Sequence, residues 1–91
     1  MPALTIQINH SAGLHARPLA KFVKTAKSFL TSIQVTNLTN GKGPMNGASP
    51  VNLMLLSVLM GHSILIESEG EQAEEALQAL KTLIESNFGE E

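Results

Sequence analysis

The 91-residue chain has no cysteine, tryptophan or tyrosine, and all eight of its acidic residues are glutamate. Without cysteine there is neither a disulfide framework nor a thiolate metal site, and nothing calls for an oxidising compartment. The aromatic content is three phenylalanines and the basic content six residues, so no nucleic-acid partner is expected: there is little charge for phosphates and no Tyr or Trp to stack on bases. The longest apolar run, Leu53 to Met60, is broken by Ser57 and is too short to cross a bilayer, which argues against membrane insertion. Met1-Pro2-Ala3-Leu4-Thr5 has no basic n-region and does not read as a signal peptide. These absences predict a soluble, cytoplasmic protein with a single domain over residues 1–91.

What charge there is falls into two blocks. Arg17, Lys21, Lys24, Lys27 and Lys42 occupy residues 1–66 with no acid, whereas every glutamate lies in residues 67–91 beside one lysine, Lys81. Four of the six cations sit between Arg17 and Lys27, so an anionic group or an acidic partner is steered there.

Hydropathy patterning supplies the elements. Leu4, Ile6 and Ile8 alternate with Thr5, Gln7 and Asn9, the period of a half-buried strand. From about Ala16 the period becomes helical, with Leu19, Phe22, Val23, Ala26 and Leu30 on one stripe and Lys21, Lys24 and Lys27 off it. A second strand is expected over Ser32 to Leu38, then a hairpin turn at Thr39-Asn40-Gly41-Lys42 and a short return strand, Lys42 to Met45. Pro44 confines that strand to a sheet edge or bulge. Ser49-Pro50 starts a second helix, with serine as N-cap, running to about Leu59 and stopped by Gly61. Leu53, Leu56 and Leu59 are its core side. His62 to Glu69 reads as the fourth strand, and Ala73, Ala76, Leu77, Leu80, Leu83 and Ile84 as the stripe of the longest helix. Glu71, Glu74 and Glu75 lie near its positive end. Gly89-Glu90-Glu91 reads as a frayed tail. The order βαββαβα predicts an α+β open-faced β-sandwich, a four-stranded antiparallel sheet covered on one face by three helices.

The chemistry concentrates at Gly13-Leu14-His15-Ala16-Arg17-Pro18. Pro18 falls in the first helical turn, where its missing N–H costs nothing, so His15 sits at or near the N-cap. A helix start offers unpaired amides and the positive end of a dipole to an anion. Imidazole is a good nucleophile toward phosphorus, and its phosphoramidate keeps a high transfer potential. Arg17 can present a planar pair of donors to phosphate oxygens, and the Ala16 and Arg17 amides complete a cradle. His10 and His62 have no close ligand spacing or carboxylate to go with them, so no metal site is expected.

Gly13 to Pro18, the turn Asn40-Gly41-Lys42, Ser49 at a helix start 34 positions after His15, and Glu69-Gly70-Glu71 before the last helix together resemble the histidine-containing phosphocarrier (HPr) family of the bacterial phosphotransferase system. The resemblance covers essentially the whole chain. It implies that His15 accepts phosphate from Enzyme I charged by phosphoenolpyruvate and passes it to IIA-type domains. It implies no cofactor, a monomer, and a carrier consumed and regenerated in each cycle rather than an enzyme. Lys21, Lys24 and Lys27 are either a solvated helix face or a docking surface for acidic partners. Val51 and Met54 match family positions that form an apolar docking patch, with core packing as the other reading. In some family members the serine matching Ser49 is phosphorylated by a regulatory kinase. Here Ala48 stands where lysine is common, Pro50 follows the serine, and the preceding segment is one residue longer. A regulatory module of the same fold, binding a serine kinase or transcriptional regulator through the second helix and Ser49, is the alternative function. Met54-Leu55-Leu56 and the acidic C-terminus also resemble the nitrogen-regulatory branch.

Overall fold

The inward residues of the alternating segments meet as cross-strand neighbours in the computed structural model, which describes residues 2–90. Strand β1 (Ala3–Gln7) is followed by helix α1 (Ala16–Lys27), β2 (Ser32–Asn37), β3 (Met45–Asn46), helix α2 (Pro50–Leu55), β4 (Ser63–Glu69) and helix α3 (Ala73–Glu85). A 3₁₀ turn, Asn87–Gly89, follows α3. The strands form one antiparallel sheet in the order β1-β4-β2-β3. Ile66 of the central β4 stands opposite Leu4 on one side and Val35 on the other, and Ile64 opposite Ile6 and Asn37. Ala3, Thr5, Gln7, Ser32 and Gln34 point the other way and are exposed. The helices therefore cover one face only, the arrangement the alternation predicts.

Helix α1 buries Pro18, Leu19, Phe22, Val23 and Ala26 on the sheet, a stripe at helical spacing whose removal from water is the main stabilisation. It stops three residues before Leu30, which is exposed. The Ser28 hydroxyl folds back onto the Lys24 carbonyl at 2.8 Å and ends the helix. Leu30 then exchanges hydrogen bonds with Gln72 at the entry to α3. Lys24 and Lys27 lie in the last turn, where the dipole favours cations.

Helix α2 is shorter than its apolar run suggests, ending at Leu55 rather than near Leu59. The Leu56 carbonyl, which a longer helix would give to the Met60 amide, instead accepts the side-chain amides of Asn37 at 3.1 Å and Asn40 at 2.9 Å. Ser57 turns into the left-handed region at φ 51, Val58 returns to the core, and Leu59 is left exposed rather than buried with Leu53 and Leu56. Ser49 caps the helix as expected, its hydroxyl accepting the Asn52 N–H at 3.2 Å. Ser49→Ala is expected to cost about 1 kcal/mol, which thermal denaturation reads as a Tm lower by roughly 4–8 °C.

Three strand boundaries also shift. The return strand begins at Met45 instead of Lys42, because Pro44 has no N–H to give a ladder, and β3 lies at the sheet edge. Strand β2 closes at Asn37 rather than Leu38, and β4 opens at Ser63 rather than His62. The expected frayed tail is tied down as far as Glu90: Phe88 is 1% exposed and Glu90 holds three side chains. Glu91 lies outside the described residues. Among the described residues, no helix is long and apolar enough to cross a membrane.

Candidate functional site

Leu14 is fully buried and its N–H donates to the Val58 carbonyl at 3.0 Å, which pins the loop before α1 onto the segment after α2. Gly13 makes this approach possible: its φ is 62, and a Cβ there would lie 2.2 Å from the Val58 oxygen. The next residue, His15, is the N-cap of α1, with φ −131 and ψ 171. Its side chain makes no capping hydrogen bond, so the imidazole is not consumed in holding the helix. Ala16 takes φ 52, a conformation costing an L-residue on the order of 1–3 kcal/mol. The surrounding anchors, buried Leu14 before it and buried Pro18 after it, hold that conformation. The Ala16 and Arg17 amides find no protein acceptor among the described residues.

The Arg17 side chain is 84% exposed, and its Nε lies 3.4 Å from Glu90 Oε2. Lys21 Nζ donates to the Phe88 carbonyl at 2.7 Å and lies 3.5 Å from the same carboxylate oxygen. Lys21 is thus drawn toward the C-terminal turn, whereas Lys24 and Lys27 stay exposed on the outer face of α1. On α2, which packs beside α1, Val51, Met54 and Leu55 are all more than half exposed. Ser49, which caps that helix, is half-buried. The surface depressions lined by Ile6, Ile84 and Asn87, by Gly70 and Glu74, and by Leu4 and Leu77 do not include His15 or Arg17. His15 is itself half-buried, with exposed Ala16 and Arg17 following it.

Sequence reasoning weighs His10 only as a metal ligand and Glu90 only as part of a frayed tail, and misses the contact between them. The carboxylate of Glu90 takes His10 Nε2 at 2.7 Å on one oxygen and faces Arg17 and Lys21 with the other. Phe88 was the available signal, an aromatic too apolar for a loose tail, which buries itself and delivers Glu90 two residues later. The hydrogen bond from His10 chiefly, with the charges of Arg17 and Lys21, holds the Glu90 carboxyl below its ordinary value near 4.5, against the opposing effect of desolvation. With its value lowered in the folded state, the attachment of this turn is fully present above about pH 4.5 and fades as pH falls below it. In an acid titration followed by NMR, the amides of Phe88, Gly89 and Glu90 are expected to move together as the pH falls below that value. His62 is engaged elsewhere, its Nδ1 facing the Asn37 side-chain amide at 3.1 Å and the Leu59 N–H at 3.2 Å.

A one-sided antiparallel sheet carrying three helices, with a histidine at an amide-bearing helix start and an arginine two residues on, defines a small α+β domain of the open-faced sandwich class. The family model described as the phosphorylation site of the HPr component of the phosphotransferase system (PTS) matches residues 3–86, and the chain belongs to the HPr family. It is 40% identical over 90 residues to the phosphocarrier protein HPr of Pseudomonas aeruginosa, covering 99% of this chain and 98% of that one. It is also 40% identical over 83 residues to the multiphosphoryl transfer protein of Salmonella typhimurium, covering 91% of this chain but 22% of that protein. The chain therefore spans about a fifth of the length of the multiphosphoryl relatives it matches. The crystal structure of HPr from Thermoanaerobacter tengcongensis superposes with a TM-score of 0.93 at 43% identity, covering 100% of this chain and 99% of that one.

Proposed function

We propose that this chain is a cytoplasmic, stoichiometric phosphoryl carrier rather than an enzyme, with His15 as the residue that carries the group. The observation that supports this most is the N-cap imidazole left without a capping bond, followed in the chain by two amides without a protein acceptor among the described residues and by the exposed Arg17. An imidazole nitrogen attacks phosphorus, a P–N bond forms, and the bond between phosphorus and the donor breaks; the reverse exchange passes the group on. The helix-start amides and Arg17 meet the phosphate oxygens, stabilising charge that water would otherwise solvate. The donor on this reading is Enzyme I charged by phosphoenolpyruvate, and the acceptor a IIA-type domain. The chain works as a single domain over residues 1–91 and as a monomer, with no metal or organic cofactor of its own.

Docking falls to the exposed apolar side chains Val51 and Met54 of α2 and to the exposed Lys24 and Lys27 of the adjoining α1, with Lys21 contributing charge from nearer the C-terminal turn. Apolar contact together with basic charge suits a partner with an acidic surface. Incubation with phosphoenolpyruvate and catalytic Enzyme I tests the reading: one acid-labile phosphate per chain is the supporting result, and a chain that takes up none contradicts it. The exposure of Val51, Met54 and Leu55 around the Ser49 cap favours one second reading, a regulatory module that binds a serine kinase or transcriptional regulator there. That reading expects partner binding to survive loss of His15. Transfer to a sugar-specific or to a nitrogen-branch IIA domain separates the two carrier branches.

A further inference from the structure

His10 and Glu90 are not used by the carrier mechanism. His10 is 9% exposed, three residues ahead of Gly13, and both of its ring nitrogens are engaged. Nδ1 accepts the Ala12 N–H at 3.0 Å, and Nε2 lies 2.7 Å from Glu90 Oε1. A neutral ring with its hydrogen on Nε2 meets both demands, accepting on one side and donating on the other. The ring packs edge-on against Phe88, with centroids 6.0 Å apart and planes at 80°. Both the ring contact and the carboxylate contact thus fix the C-terminal turn. The second oxygen of Glu90 faces Arg17 Nε and Lys21 Nζ, and Lys21 is additionally tied to the Phe88 carbonyl. The contacts run from imidazole to carboxylate to guanidinium.

We propose that His10 is a positioning residue, which through Glu90 holds the Arg17 guanidinium on an internal carboxylate until a phosphoryl group on His15 replaces it. The inference rests on the reading of His15 and Arg17 given above. A phosphate carries more charge and more acceptor oxygens than one carboxylate oxygen, so the exchange runs toward phosphate once the group arrives. Glu90 nevertheless competes for the same cation, and the competition stabilises the resting form relative to the phosphorylated one. Because Arg17 is so exposed, the effect is a modest tuning of transfer potential, about two- to fivefold in the equilibrium.

Two substitutions separate the jobs of the two ring nitrogens. His10→Asn places an amide oxygen near the Nδ1 position, which keeps an acceptor for the Ala12 N–H and removes the donor to Glu90. His10→Gln reaches the Nε2 position with an N–H and keeps that donor. Two readouts are taken on the full chain: the chemical shift and hydrogen exchange of Arg17 Nε–H by NMR, and the equilibrium fraction phosphorylated by Enzyme I at a fixed phosphoenolpyruvate-to-pyruvate ratio. His10→Asn is expected to speed the exchange of Arg17 Nε–H and to raise the ratio of phosphorylated to free chain about two- to fivefold, while His10→Gln stays near wild type in both. Glu90→Gln, which keeps the shape and removes the charge, is expected to match His10→Asn.

Asn and Gln variants that behave alike overturn the proposal, as does either readout unmoved in both His10→Asn and Glu90→Gln. If the unaltered chain takes up no phosphate, the carrier reading fails. The Arg17 readout then still decides whether His10 acts through Glu90.

Discussion

His15→Ala is expected to reduce phosphate uptake from charged Enzyme I by on the order of a thousandfold or more, to background, while leaving the fold within about 0.5 kcal/mol of the parent. The two halves of this result have separate causes. Loss of uptake follows because the imidazole is the nucleophile and its neighbours in the α1 entry offer none: Ala16 has only a methyl group and the Arg17 guanidinium stays protonated, with no free lone pair. Preserved stability follows because the His15 side chain makes no capping hydrogen bond; the cap position is held by backbone geometry and by buried Leu14 and Pro18. Quantitative phosphate labelling and chemical denaturation check the two halves on the same preparation. A large loss of stability would mean that the ring is structural.

Gly13→Ala is expected to destabilise the chain by about 2–4 kcal/mol and to impair phosphate acceptance without touching a reacting group. The φ of 62 disfavours any L-residue, and the added Cβ would lie 2.2 Å from the Val58 oxygen and 2.9 Å from the Leu59 Cα. Both obstacles are backbone and cannot rotate aside. Relief requires the loop to part from the segment after α2, stretching the Leu14 N–H to Val58 carbonyl bond and carrying His15 with it. Gly41 is the comparison: its φ is 80, but nothing lies within 4 Å of its would-be Cβ. Gly41→Ala should therefore cost about 1 kcal/mol of backbone strain alone and leave phosphate uptake unchanged. Urea denaturation and initial labelling rates on both variants measure the contrast.

The parts of this molecule that were legible in its sequence are those set by local rules. Alternation placed Leu4, Ile6, Ile33, Val35, Ile64 and Ile66 on one sheet face, and the stripe from Leu19 to Ala26 placed α1 on it. Pro18 and Pro50 marked helix starts that the structure has. Two of the misplaced features, the end of α2 and the placement of Leu30, involve a side chain arriving from far along the chain. Asn37 and Asn40 end α2 by taking the Leu56 carbonyl across 19 and 16 residues, and no local pattern announces that. Gln72 likewise captures Leu30 from 42 residues away. The site divides in the same way: Gly13 to Pro18 is contiguous and readable, whereas Glu90 reaches His10 across 80 residues. Charge segregation hinted at such a contact, since every acid lies in residues 67–91 and most cations near Arg17, but it did not say which carboxylate would cross.

A phosphoryl group carried by this chain is expected to sit on the imidazole at the start of α1. The most direct measurement is site mapping of the phosphate after incubation with phosphoenolpyruvate and Enzyme I, using ³¹P NMR of the intact chain and tandem mass spectrometry under non-acidic conditions. The account predicts one phosphoramidate resonance and a single modified residue, His15. Phosphate found on His10 or His62, an acid-stable ester on Ser49, or no incorporation at all would contradict it.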